Sequence, residues 1–180
     1  MQEEASGWLY KTSDTSACAM FMIPKIDEPN EARFFHNWVA KNSNTIMEPP
    51  NIPDQSRIIN TIARYPSRSE IELSDGYDHI RIHPPHEKHT AFVTPYGTYR
   101  TRVMLRGDCN APATFQKIMH NLLRHELGID VYVHIGDIFI FSKTYKEHLA
   151  HVRTMLQGSK TISSMHSGTS HSSLLTSWVF

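Results

Sequence analysis

The chain has 180 residues, 39% hydrophobic and 20% charged, which suits one globular domain or a domain with an appendage and leaves room for a sizeable core. Lys plus Arg and Asp plus Glu each number 18, so no global positive field draws the chain onto nucleic acid and any such surface has to be local. The start, "MQEEASGWLYKTSD", is acidic and polar where a secretory leader needs a basic end and an apolar run, and no stretch approaches the roughly 18 apolar residues of a membrane span; the expectation is a soluble intracellular protein, cytoplasmic or nuclear.

In chain order, "ACAMFMIPK" is a compact apolar run ended by Pro24, a strand. "PPNIPDQSRIINTIARYP" predicts a helix capped by Asp54, with Ile58, Ile59, Ile62 and Ala63 at helical spacing and Pro66 ending it. "SEIELSDGYDHIRIHPP" alternates Ile71 and Leu73, then Ile80 and Ile82, around Ser-Asp-Gly: strand, turn, strand. "TAFVTPYGTYRTRVML" predicts a hairpin about Pro95-Tyr96-Gly97. "NAPATFQKIMHNLLRHELG" is the clearest helix, with Asn110 as N-cap, Pro112 in the first turn, and Phe115, Ile118, Met119, Leu122 and Leu123 as a core stripe.

"VYVHIGDIFIF" then reads as a hairpin, with Val131, Val133 and Ile135 on one face and Tyr132 and His134 on the other. The chain reverses about Ile135-Gly136 or Gly136-Asp137, and a tight turn explains the glycine. The lone acid, Asp137, is open to two readings at this point: turn chemistry, or a carboxylate presented for a purpose. "TYKEHLAHVRTML" predicts a second amphipathic helix, and from Gly158 the Ser-rich remainder shows neither helical nor strand period. Cys18 and Cys109 stand far apart without metal-type spacing and read as small apolar residues in a reducing compartment.

The order and spacing of "AMFMIPK", "IELSDGYDHIRI", "NAPATFQKIM" and "VYVHIGDIFIFSKTYKEHL" resemble the reverse transcriptase of gypsy-type LTR retrotransposons, whose usual forms are "VLFVPKK", "IDLxxGYHQIRI", "FGLxNAPATFQ" and "VYLDDILIFSKTxxEHL". The resemblance runs from about Ala17 to Leu156, and the pair "NAPATFQ" with "IFIFSKTYKEHL" is its most specific part. It implies an α+β fold, the fingers and partial palm of a right-hand polymerase, with an antiparallel sheet backed by helices. Residues 1–66 are then a fingers-like segment, 67–156 a palm core with a fingers insertion at about 86–104, and 157–180 an unstructured tail. Permitted codons for that tail, taken one base out of phase, spell a continuation of the family's helix and next strand, so the tail is read as a frameshifted relic.

The implied chemistry is RNA-directed DNA polymerase activity: in-line attack of a primer 3′-hydroxyl on a nucleotide α-phosphate, with two Mg²⁺ ions stabilising the attacking and leaving oxygens. The implied partners are RNA or DNA primer-template and deoxynucleoside triphosphate, with no membrane and an oligomeric state left open. Catalytic and metal-holding roles fall to Glu72 and Asp137. Nucleotide-contacting roles fall to Lys25, Arg33, Leu73, Tyr77, Arg106 and Gln116, with Tyr77 matching the aromatic beside the sugar 2′ position.

Departures from the pattern fall at the acids. Glu72 stands where the family has Asp, one carbon or about 1.5 Å longer, and Gly136 replaces the first Asp of the turn pair. Mg²⁺ holds oxygens at about 2.0–2.1 Å in near-octahedral geometry, and a misplacement of about 1 Å costs about 10²-fold in rate. The expectation is vestigial polymerase activity at most. His134 with Asp137 and Glu72 offers one imidazole and two carboxylates, a set better matched to Mn²⁺ or Zn²⁺. "RFFHNWVAKN" puts Asn37 and Val39 where Asp and Arg are usual, and Arg106 takes the place of a Phe. His83, His86 and His89 lie in a Pro-interrupted loop that favours solvated side chains over a metal site. Two other classes stay open: a non-catalytic module binding nucleic acid or protein, and an expressed fragment without function.

Overall fold

A computed structural model describes residues 7–24, 32–73, 76–164 and 175–179. In chain order the strands are β1 (Leu9–Thr12), β2 (Cys18–Pro24), β3 (Ala32–His36), β4 (Ser67–Leu73), β5 (Phe92–Thr94), β6 (Gly97–Thr101), β7 (Val131–His134), β8 (Asp137–Ser142) and β9 (Leu175–Val179). The helices are α1 (Val39–Ser43), α2 (Gln55–Ile62), α3 (Ala111–Leu122) and α4 (Tyr145–Ser164), with 3₁₀ turns at Gly76–His79 and Pro84–Thr90. Among these, no helix is long and apolar enough to cross a membrane. Cys18 and Cys109 form no disulfide.

The chain divides into two compact units, residues 1–48 with 80–111 and residues 49–79 with 112–180. This differs from the sequence boundary at 66 and the insertion at 86–104. The reason is α2: Ile58 and Ile62 pack on Phe141 of β8, which ties residues 49–66 to the second unit.

In the first unit the described strands form a sheet in the order β1-β6-β5-β2-β3. β2 ends at Pro24, as its apolar run predicts, and forms an antiparallel hairpin with β3 that sets Phe21 opposite Phe35. β5 and β6 close around Pro95-Tyr96 as expected. Phe92, Tyr99, Val103, Met104 and Trp38 are buried, and the His36 ring lies between Trp38 and Phe92; burial pushes its pKa down to about 4, so it is neutral. Asn110, expected as a helix cap, instead donates to the Ile46 carbonyl and accepts from the Glu48 amide, joining two loops of this unit.

The second unit runs β4-α3-β7-β8-α4-β9 with the sheet order β7-β8-β4-β9, all neighbours antiparallel, a split βαβ arrangement. Asp54 caps α2 by accepting from the Arg57 amide at 3.1 Å. Ile58 is 2% exposed but Ile59 is 54% exposed, so the buried stripe is narrower than the sequence suggested. The second strand expected after Ser-Asp-Gly is replaced by the 3₁₀ turn, and only an isolated bridge, Arg81 with Val103, remains of it in the first unit. The tail also departs from expectation. α4 continues through Ser164, and Leu175–Val179 pair with β4, supplying partners to an otherwise open strand edge.

Candidate active site: an acidic row across the second sheet

β4 buries Ser69 and Ile71 on one face and directs Glu70 and Glu72 to the other, because successive strand side chains alternate. β8 pairs with β4 in a register that sets Ile71 opposite Ile138 and Glu72 opposite Asp137; β7 sets His134 opposite the same Asp137. Cross-strand partners share a face, so His134, Asp137 and Glu72 stand side by side with Cβ separations of about 4.5–5.5 Å between neighbours. Tyr132, Phe139 and Glu70 form the next row. Farther along the same face, Phe141 is covered by α2 and Tyr65.

Burial raises the Asp137 carboxyl above its ordinary range, the Glu72 charge raises it further, and His134 opposes the shift. Glu70 is raised by burial first, then by Asp137 and Glu72. The site is therefore a group of three interacting carboxylates. Glu70 was missed from sequence, although the period-2 alternation of "SEIEL" places it on the face of Glu72.

The reversal occupies Ile135-Gly136, one of the two alternatives left by the sequence. The glycine is not the residue in the left-handed region; Ile135 is, with φ 56°. A β-branched side chain there is a conformational outlier, so backbone strain sits next to the acid. Gly136 holds the Leu73 amide through its carbonyl at 3.0 Å, and a Cβ built on it meets only the Leu73 oxygen, at 4.0 Å. Position 136 thus has room for a side chain and no conformational need for glycine.

Residues 23–165 match the family described as reverse transcriptase (RNA-dependent DNA polymerase). The chain belongs to the reverse transcriptase family. It is 29% identical over 140 residues to the Retrovirus-related Pol polyprotein from transposon opus of Drosophila melanogaster, covering 76% of this chain and 14% of the polyprotein. It is 32% identical over 123 residues to the RNA-directed DNA polymerase homolog of Oenothera berteroana, covering 67% of this chain and 87% of the homolog. The foamy viral protease-reverse transcriptase solved in complex with RNA/DNA hybrid has the same fold, with a TM-score of 0.75 at 23% identity over 84% of this chain and 20% of that one. The α+β fold expected from the sequence stands: it matches the fingers and palm of a reverse transcriptase, with the acidic row on the palm sheet.

The remaining residues singled out from sequence belong to both units. Leu73 ends β4 and donates its amide to the turn. Tyr77 lies in the 3₁₀ turn, edge-on to Phe115 at 5.3 Å between centroids. Gln116 is 1% exposed and bonded within the protein: its Oε1 accepts from the Ile135 amide at 2.7 Å and its Nε2 donates to the Val133 carbonyl at 2.9 Å. Arg106 is half-buried in a turn of the first unit, and Arg33 belongs to β3. Lys25 lies outside the described residues.

A two-cation centre is not met by the side chains present. Glu72 and Asp137 supply two carboxylates in register, but position 136, where a third belongs by resemblance, has no side chain. Among the described residues no three His, Cys, Asp or Glu side chains are arranged to hold a metal ion.

Proposed function

We propose that this chain is the fingers-and-palm part of a gypsy-type LTR retrotransposon reverse transcriptase, defective in template-directed nucleotidyl transfer because its palm has lost a cation-holding carboxylate at position 136. The observation that carries this reading is the side-chain-sized space at Gly136 beside the Glu72–Asp137 pair. Attack of a primer 3′-hydroxyl on an α-phosphate builds negative charge, and two divalent cations stabilise it when enough carboxylates converge. Glu72 and Asp137 are the retained part of that set, with Mg²⁺ the expected cation and Mn²⁺ an alternative. Primer-template and deoxynucleoside triphosphate are the matching partners. By resemblance, recognition of the sugar falls to Tyr77 and Leu73, and contact with the triphosphate to Arg33, Lys25 and Arg106. The foamy viral relative's complex with RNA/DNA hybrid supports this choice of partner.

Primer extension with Mg²⁺ and with Mn²⁺ tests the reading, comparing the chain with a Glu72→Asp, Gly136→Asp double variant. Synthesis by the double variant and not by the parent is expected. Robust synthesis by the parent overturns the defect, and failure of both assigns the loss to something other than these two positions.

A further inference from the structure

We propose that Gln116 is a positioning residue: its side-chain amide holds the Ile135-Gly136 turn in its left-handed shape and so sets where Asp137 stands against Glu72. Among the described residues β7 is an edge strand, and its outward backbone groups have no strand partner near the turn. Gln116 takes that place. Oε1 accepts from the Ile135 amide at 2.7 Å and Nε2 donates to the Val133 carbonyl at 2.9 Å, bridging two alternate residues of the strand end. The second Nε2 hydrogen is directed at Nε2 of His120, one helical turn on, at 2.8 Å. The amide cannot be reversed, because its oxygen would then face the Val133 carbonyl.

Two features make this more than core packing. Ile135 holds φ 56°, a conformation that a β-branched residue keeps only when its surroundings impose it, and the amide of that same residue is the one Gln116 binds. With Oε1 and Nε2 engaged and the side chain 1% exposed, Gln116 has nothing left with which to read a nucleotide, so the contact implied by resemblance is replaced by action through the turn. The proposal rests on the polymerase reading only for its activity arm.

The test uses the full chain with Gln116→Met and Gln116→Glu, followed by amide hydrogen exchange. In Gln116→Met, protection of the Ile135 amide falls by about tenfold or more while the ladder amides of Ile140 and Ile71 change less than about twofold. In Gln116→Glu the carboxylate keeps the acceptor for Ile135 but loses the donor for Val133, so the loss at neutral pH is smaller than in Gln116→Met and recovers on acidification as the protonated carboxyl regains that donor; the Met variant shows no such recovery. Unchanged Ile135 protection overturns the proposal, as does loss of all these amides together with no acid recovery in Gln116→Glu. If Gln116→Met unfolds the sheet, His120→Phe removes only the outer partner and is expected to give a smaller loss confined to Ile135; no local loss there overturns the proposal. In the Glu72→Asp, Gly136→Asp background, Gln116→Met is expected to lower kcat by about tenfold with nucleotide KM held within about twofold. A raised KM with kcat kept identifies a nucleotide contact and overturns the positioning role. A background without synthesis assigns the loss of polymerase activity to something other than positions 72 and 136, and the exchange arm still decides Gln116.

Discussion

Glu72 stands directly opposite Asp137 in the β4–β8 ladder, so two carboxylates far apart in the sequence are neighbours on one sheet face. Like charges so placed repel, so the pair costs stability. The site read from the sequence is thus brought together by strand register, with Glu70 as an unforeseen third member.

Replacing Glu72 by Gln removes one side of that repulsion. At pH 7 the variant is expected to be more stable than the parent by about 0.2–1 kcal/mol in urea unfolding. Asp137 is held above its ordinary range by burial and then by Glu72, so its neutral form is favoured in the fold, and ionisation costs stability above the raised pKa. The penalty is relieved as pH falls through the raised pKa. The difference between parent and variant should therefore shrink on acidification toward pH 4; a constant difference would contradict the coupling.

The other end of the palm sheet responds to acid in the opposite sense. His148 of α4 is buried, with Nε2 2.8 Å from Ser69 Oγ and Nδ1 3.1 Å from Ser142 Oγ. Ser142 also meets His151 at 2.9 Å, and His151 meets Asp130 at 3.2 Å. Burial first, then His151, hold the His148 pKa below 6.5. A histidine lowered in the fold contributes stability above its unfolded pKa, and that contribution is lost as pH falls below about 6.5. Thermal melts of the parent should lose Tm between pH 7 and 5.5 more steeply than those of His148→Gln, which is less stable at pH 7 but lacks this titration. Equal slopes would rule out His148 as the source.

Gly76 is needed for space. A Cβ there would lie 2.8 Å from the Phe115 ring, on which Tyr77 also packs. Gly76→Ala is expected to cost about 1–3 kcal/mol, and Phe115→Leu in the same chain to recover part of it, as measured by chemical denaturation. No loss in the single variant would place the ring elsewhere.

What was legible followed from local chemistry. Alternation in "VYVHIGDIFIF", the Asp54 cap and the Pro95-Tyr96 reversal are each fixed within a few residues, and the structure has them. Long-range facts were not legible. The side chain of Asn110 suits a cap, and nothing nearby in sequence shows that it reaches Ile46 and Glu48 instead. Gly136 looks like the residue that permits the turn, yet the left-handed residue is Ile135, and the burial of Gln116 beneath it depends on how α3 meets β7. β9 carries no strand period of its own; its pairing is set by the open edge of β4. The pairing of Glu72 with Asp137 came from motif resemblance, since register between distant strands has no local signature.

The proposed loss of a cation-holding carboxylate at position 136 is tested most directly by counting cations. Mn²⁺ titrated into the parent and into the Glu72→Asp, Gly136→Asp variant, followed by paramagnetic relaxation of water protons, should show weak binding at the Glu72–Asp137 pair in the parent and a gain of about tenfold or more in affinity when a carboxylate is supplied at position 136. A parent that binds two Mn²⁺ ions as tightly as the variant would contradict the account.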